Sequence, residues 1–373
     1  MKTIYFFIGT EAELMKMFHV IQEAQRRGYD CRIISNGQND IKKSPYLEKV
    51  GGKIYIDLTE YQATEKKASN YMLWFIKTER LGVKVMKNEK KQNKNILMIV
   101  HGDTLSTLMG SRIARKCGIE YMHVESGLRS YNWFSPFPEE IDRYFSSKYS
   151  VMNFCQKKEA EEFAEKTFKG KAVNTVYNTG IEILYDALQE IKTKKMERPL
   201  EDRYFLTAIH RQENLLDGHF MKNTFQKILE MSSKMKCVFI YHEQTKNALV
   251  KLGLWERIEN EKNIIIIPRQ DYVSFINYVI NSEFVMADGC GNQQEFCYLG
   301  QPYLIMRTAI EEDSEGLGWN AFCFKGDYSK ISDFLNCYEK YRKPRVSPKK
   351  LPSVIIMDSI DEYCKQDMAQ KNK

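Results

Sequence analysis

Short apolar runs separated by longer amphipathic stretches constrain this chain more than any other feature. The runs are TIYFFIG (3–9), ILMIV (96–100), IEYMHV (119–124), YFLTAI (204–209), CVFIY (237–241), NIIIIP (263–268), EFVMAD (283–288) and PYLIM (302–306). Between them, segments such as 11–27, 104–117, 156–168, 219–233 and 328–340 carry apolar residues at helical spacing. Runs of this length suit strands buried on both faces, and strand alternating with helix predicts βαβ units and parallel sheets. The class is therefore α/β. A chain of 373 residues, 43% of them hydrophobic, exceeds one ordinary core and predicts two doubly wound, Rossmann-like domains. The polar, Pro-containing stretch QEIKTKKMERPLEDR (189–203) marks the expected linker between two sets of βα repeats. The expected division is 1–180, 181–352 and a C-terminal helix and tail at 353–373. Ligands of such sheets lie at the carboxyl ends of the strands, which predicts a cleft where the two domains face each other.

Composition narrows the classes. Charged residues make up 28% of the chain, and no segment approaches the roughly 20 apolar residues of a membrane span. The start, MKTIYFFIGTEAELMK, meets Glu11 and Glu13 too early for a secretory signal. The expectation is a soluble, cytoplasmic protein without a membrane partner. Nine scattered cysteines with no Cys-x-x-Cys pair suggest neither a disulfide framework nor a zinc site. The net charge of +7 comes largely from Lys-rich stretches at 88–96 and 341–350, which lack the interleaved aromatics of a nucleic-acid platform. No nucleic-acid partner is expected, whereas a small acidic ligand fits the balance.

The unusual residues sit at strand ends. HGDT (101–104) follows ILMIV, HRQEN (210–214) follows YFLTAI, and DGCGNQQE (288–295) completes EFVMAD. After IEYMHV comes ESGLRSYNWFSPFPEEIDR (125–143), which gathers Glu125, Arg129, Glu139, Glu140, Asp142 and Arg143 around an aromatic, Pro-broken loop. Each has a structural alternative. His101 and His123 read equally as buried, hydrogen-bonded histidines and Asp103 as the N-cap of a helix starting near Thr104. Glu139 reads as a first-turn carboxylate after Pro138, and Arg143 as its i,i+4 ion-pair partner. The recurrence at successive strand ends favours a functional site. The Gly-rich turn after Asp288 suits close approach of backbone N–H groups to a phosphate, though it is neither a Walker motif nor a spaced-Gly dinucleotide fingerprint.

HGDTLSTLMGSRIA, HVESGLRSYNWFSPFPEEIDR, TAIHRQEN, DYVSF and DGCGNQQE with LGQPYL, in this order over residues 3–325, resemble the UDP-N-acetylglucosamine 2-epimerase family. The resemblance implies a GT-B arrangement and a homodimer, with a nucleotide sugar, most simply a UDP-sugar, as ligand. It implies anti elimination of the nucleotide to a glycal and re-addition with the C2 proton on the opposite face, in surface polysaccharide biosynthesis. Asp103, Glu125 and Glu139 match the acid/base carboxylates, and His210 the catalytic histidine beside the diphosphate. Lys16, Arg143, Phe275, Gly289, Cys290, Gly291 and Glu295 fall on substrate-binding positions. No cofactor and no metal is implied. The chemistry agrees: the C2 hydrogen is not acidified by a carbonyl, so two faces of one carbon need proton carriers while the diphosphate departs.

The chain departs from that family in several places. Glu11 stands where a phosphate-binding arginine is expected, and Glu312 at or near a second one. TGI (179–181) replaces Thr-Gly-Asn, and Asn39 replaces the histidine of a segment that helps bind an activating nucleotide sugar. The competing readings are a hydrolysing 2-epimerase, a GT-B glycosyltransferase, and a binding protein that has lost catalysis.

Overall fold

The structure, a computed structural model, describes residues 2–59, 68–129, 131, 138–289, 293–308, 310 and 316–371. It divides into two compact units, Met1–Ile183 with Pro348–Lys373, and Leu184–Ser347.

The first unit holds strands β1 (Thr3–Ile8), β2 (Asp30–Ser35), β3 (Ile54–Asp57), β4 (Ile96–His101), β5 (Glu120–Val124), β6 (Met152–Cys155) and β7 (Lys171–Asn174). They form a seven-stranded sheet in the order β3-β2-β1-β4-β5-β6-β7, paired in parallel throughout. The apolar runs at 3–9 and 96–100 become β1 and β4, whose residues are all buried. Helices α1 (Glu11–Arg26), α2 (Pro45–Lys49), α3 (Ala68–Gln92), α4 (Leu105–Lys116), α5 (Glu139–Lys148), α6 (Lys158–Thr167) and α7 (Gly180–Thr193) connect these strands and lead out of the sheet. The strand order reverses between β1 and β4, so the loops leaving these two strands diverge and leave a crevice at the switch point.

The second unit holds β8 (Tyr204–Ala208), β9 (Lys236–Tyr241), β10 (Ile264–Pro268), β11 (Val285–Ala287), β12 (Tyr303–Ile305) and β13 (Ala321–Cys323), again parallel, in the order β10-β9-β8-β11-β12-β13. Its helices are α8 (Gln212–Leu216), α9 (Gly218–Ser232), α10 (Glu243–Lys251), α11 (Trp255–Glu259), α12 (Tyr272–Asn281), α13 (Gln293–Leu299) and α14 (Ser329–Leu335). The switch point lies between β8 and β11, and Phe205 and Phe284 stack at 5.2 Å in the core beneath it.

The chain passes from one unit to the other inside α7, between Ile183 and Leu184, and the expected linker at 189–203 begins as the last residues of that helix. Its polarity marks the exposed end of a helix anchored by buried Ile181, Ile183, Leu184 and Ala187. The last helix, α15 (Pro352–Lys371), belongs to the first unit rather than standing apart. It packs on α1: Arg27 pairs with Asp358 at 2.8 Å and with Asp361 at 2.6 Å, and Lys2 reaches Asp367 at 3.1 Å. No described helix is long and apolar enough to cross a membrane.

Candidate active site

At the first switch point, β1 is followed by Gly9 and β4 by the turn at Gly102 and Asp103. A Cβ on Gly9 would lie 1.7 Å from the Ser106 Oγ, so only glycine lets these two loops meet. Glu13 locks them together. Its carboxylate accepts from the Gly9 N–H at 2.6 Å and the Thr10 N–H at 3.0 Å, and from the Thr104 hydroxyl across the crevice. Burial raises its pKa above the ordinary carboxylate value. Thr104, not Asp103, caps α4: its hydroxyl accepts from the Thr107 N–H at 3.2 Å. The Asp103 carboxylate instead accepts from the Arg143 guanidinium.

Glu125 follows β5 directly, in the left-handed backbone region with φ 66°. A non-glycine residue held there costs of order 1–3 kcal/mol and persists where surrounding contacts determine it. Those contacts converge on its carboxylate, which accepts from Lys16 Nζ at 2.8 Å and Asn178 Nδ2 at 2.7 Å, with His101 Nε2 3.2 Å away. Burial opposes its charge, but Lys16 and His101 outweigh it and hold the carboxyl well below the usual range. His123 behind it is a buried structural histidine: Nε2 donates to the Gly102 carbonyl at 2.7 Å and Nδ1 meets the Ser147 hydroxyl at 2.9 Å. Its burial lowers the pKa to about 4, so it is neutral and pins the turn that carries Asp103.

Helix α5 supplies the other charges. Arg143 bonds Asp103 and approaches Glu140 at 3.4 Å, so the i,i+4 pair with Glu139 expected of an ordinary surface helix does not form. Glu140 is fully buried against Arg129, whose guanidinium lies 4.8 Å over the Phe163 ring. Glu139 Oε2, Asp142 Oδ2, Arg143 Nε and Ser146 Oγ are buried without a hydrogen-bond partner. Buried polar atoms are normally satisfied, and such a concentration on one short helix marks a surface that expects water or a ligand. Asp142 feels burial first, then the charges of Asp103 and Glu139, and is pushed up to about 7.

At the second switch point, Asp288 is fully buried after β11 and accepts from the backbone N–H groups of His210 at 3.0 Å and Arg211 at 3.0 Å, and from Asn214 Nδ2 at 2.9 Å. His210 Nδ1 lies 3.5 Å from Asp288, and its ring stacks on His242 at 4.7 Å. A Cβ on Gly289 would stand 2.9 Å from the His210 ring, and the Gly289 carbonyl is held by the Tyr303 hydroxyl at 3.0 Å. A larger residue there would press on the histidine ring and push it aside. Phe275, on α12, packs against Phe296 at 6.3 Å, and Glu295 lies in the first turn of α13. Cys290, Gly291 and Glu312 lie outside the described residues. Glu11 is exposed at the first position of α1, its charge in solvent.

The structure therefore gathers Asp103, Glu125, Glu139, Arg143 and Lys16 in the first unit, and His210 with Gly289 in the second. Asp142, Asn178, Asp288 and His242 were missed. Only the alternation of polar residues with strand ends hinted at Asp288, and Asp142 was visible as a charge without a role.

The sequence pattern of the UDP-N-acetylglucosamine 2-epimerase family matches residues 22–335. A UDP-N-acetylglucosamine 2-epimerase from Methanocaldococcus jannaschii is 28% identical over 82% of this chain and 83% of its own. One from Methanococcus maripaludis is 28% identical over 92% of each chain. The crystal structure of UDP-GlcNAc 2-epimerase from Neisseria meningitidis bound to UDP-GlcNAc superimposes with a TM-score of 0.77 at 24% identity, covering 97% of this chain and 100% of that one. The chain shares the two-domain α/β fold, of GT-B type, with that structure.

Proposed function

The chain belongs to the UDP-N-acetylglucosamine 2-epimerase family, and from that premise we propose that it interconverts UDP-N-acetylglucosamine and its C2 epimer without net hydrolysis. The observation that carries this reading is the cluster at the first switch point: Asp103, Glu125 and Glu139, with Lys16 and Arg143 among them. A carbon whose hydrogen must leave one face and return on the other needs at least two carboxyl groups and nearby cations to steady the departing diphosphate.

In this mechanism one carboxylate takes the C2 proton as the C1–O bond to UDP breaks, leaving a glycal and free UDP. Re-addition of UDP to C1 occurs as a second carboxyl delivers a proton to the other face of C2. Lys16 couples binding to chemistry. Paired with Lys16, the Glu125 carboxylate stays charged; phosphate oxygens compete for Lys16 when substrate is present, so the pairing loosens as the site fills. The backbone amides and Asn214 hold Asp288, which orients His210 toward the diphosphate, with Gly289, Cys290, Gly291, Phe275 and Glu295 binding the nucleotide. The product would be an N-acetylmannosamine-type donor for surface polysaccharide in the cytoplasm. From the family we also infer a homodimer, for which the outer face of α3, α4 and α5 offers exposed Met72, Leu73, Phe145 and Tyr149.

The test is incubation with UDP-N-acetylglucosamine in deuterated water, read by NMR. Deuterium at C2 of recovered sugar nucleotide, with the C2 epimer and little free UDP, is expected. Stoichiometric free UDP would convert the reading to the hydrolysing reaction, and an intact C2–H bond throughout would sink it for this substrate.

A further inference from the structure

An epimerisation that uses different carboxyls on the two faces leaves a proton in the wrong place. After one turnover the group that took the C2 proton is an acid and the group that supplied the new one is a carboxylate. The pair cannot repeat the same direction until its protons are exchanged.

The side chain of Asp142 is 2% exposed, and its Oδ2 has no hydrogen-bond partner. It lies three residues after Glu139, on the same face of α5. The cations nearby are engaged elsewhere: Arg143 with Asp103 and Glu140, and Arg129 with Glu140. From β4, β5 and α1, His101 and Lys16 turn to Glu125, and His123 is bonded to Gly102 and Ser147. From α4, which packs on α5, Arg112 pairs with Glu79 at 2.5 Å and Arg115 lies 3.8 Å over the Tyr149 ring. The charges that act on Asp142 are the carboxylates of Asp103 and Glu139. A purely structural aspartate would have donors, and an asparagine would fill this site as well. An isolated buried carboxylate beside two others is disfavoured, so its surroundings favour the protonated form.

We propose that Asp142 is the proton store of the site, a positioning residue that exchanges a proton with Asp103 and Glu139 and resets them between turnovers; this rests on the epimerase reading above. The balance is simple. The O–H bond of Asp142 breaks as its proton passes to the emptied carboxylate, and the proton held by the other carboxyl then forms a new O–H bond on Asp142. The three carboxyls keep their total charge, and no other reactant is consumed.

Asp142→Asn keeps the shape and removes the exchangeable proton. We expect its kcat to fall by about 100-fold or more with KM nearly unchanged, and the limb of the kcat–pH profile near 7 to vanish. Asp142→Glu should restore that limb. A D142N enzyme with wild-type kcat and an unaltered profile overturns the proposal. Infrared difference spectroscopy of the ligand-free protein supplies a readout independent of turnover. The carbonyl band of a protonated carboxyl should bleach as pH rises through neutrality in the wild type, and D142N should lose that component while any band of buried Glu13 stays; identical spectra of the two proteins also overturn the proposal. Wild-type protein that shows the band but no C2 exchange would instead sink the epimerase reading.

Discussion

Glu125 meets two opposed demands. It sits dry beside the other carboxyls, and it stays ionised because Lys16 stands 2.8 Å and His101 3.2 Å away. Its folded-state pKa is below its unfolded value, so the pairing adds stability at pH values above the ordinary carboxylate range, and that contribution disappears as pH falls through the depressed value. Lys16→Met should therefore cost roughly 1–3 kcal/mol at neutral pH, the range for leaving a buried group unpaired, with the gap from wild type closing in acid. Denaturation midpoints at pH 7 and at acid pH measure it, and a gap of equal size at both would assign Lys16 a packing role. In the same variant kcat/KM should fall, since the diphosphate loses a cation as well. Asp103, Glu125 and Glu139 stand out in the sequence after strands and at a Pro-started helix, and their acid/base role comes from the family resemblance. Asn178, 53 residues from the carboxylate it bonds, and Asp288, 78 residues from His210, do not stand out. Both depend on sheet order, which local pattern does not encode.

At the level of elements, α15 shows what the sequence left open. Its apolar residues read as a terminal helix, but which surface they bury is settled by α1. Ile356, Met357 and Ile360 are fully buried there, and the Arg27 ion pairs close over them. Ile360→Ala should cost about 2–5 kcal/mol, as a cavity in a packed core does. The loss should appear first in the unit to which α15 belongs, so native-state hydrogen exchange should show the first sheet opening while β8–β13 keep their protection. Faster exchange in the second sheet instead would contradict this packing. The strands read from the sequence were those with an unbroken apolar run, the edge strand β10 included; β2, the fully buried β6 and β13, whose runs are short or interrupted by polar residues, were not picked out. Nor were the edge strand β3, with burial alternating along Ile54–Asp57, and the edge strand β7, exposed at Lys171. In β3 and β7 polar residues break the run, so their composition approaches that of a loop.

At the level of the molecule, each sheet brings its chemistry to the point where strand order reverses, and α5 carries one such set on its inner face while showing Phe145 and Tyr149 on its outer one. The two faces are mechanically one object. Phe145 is 44% exposed, Tyr149 45%, and Leu73 and Met72 of α3 52% and 64%. Arg112 and Arg115 of α4 lie between them, over Phe75 and Tyr149. Aromatic and arginine side chains grouped this way suit the centre of an interface, which needs about 1,200–2,000 Å² of total buried surface to be stable. If a second copy covers this face, it clamps α5 from outside and holds Glu139, Asp142 and Arg143 in register with Asp103. Phe145→Asp should then convert a dimer to a monomer by light scattering, and kcat should fall without any change at the carboxylates themselves. Dilution of the wild type below its dissociation constant should lower specific activity in parallel with the monomer fraction. A wild type that is monomeric and fully active, or a F145D variant that remains dimeric, would separate α5's catalytic face from its outer one and remove the mechanical link.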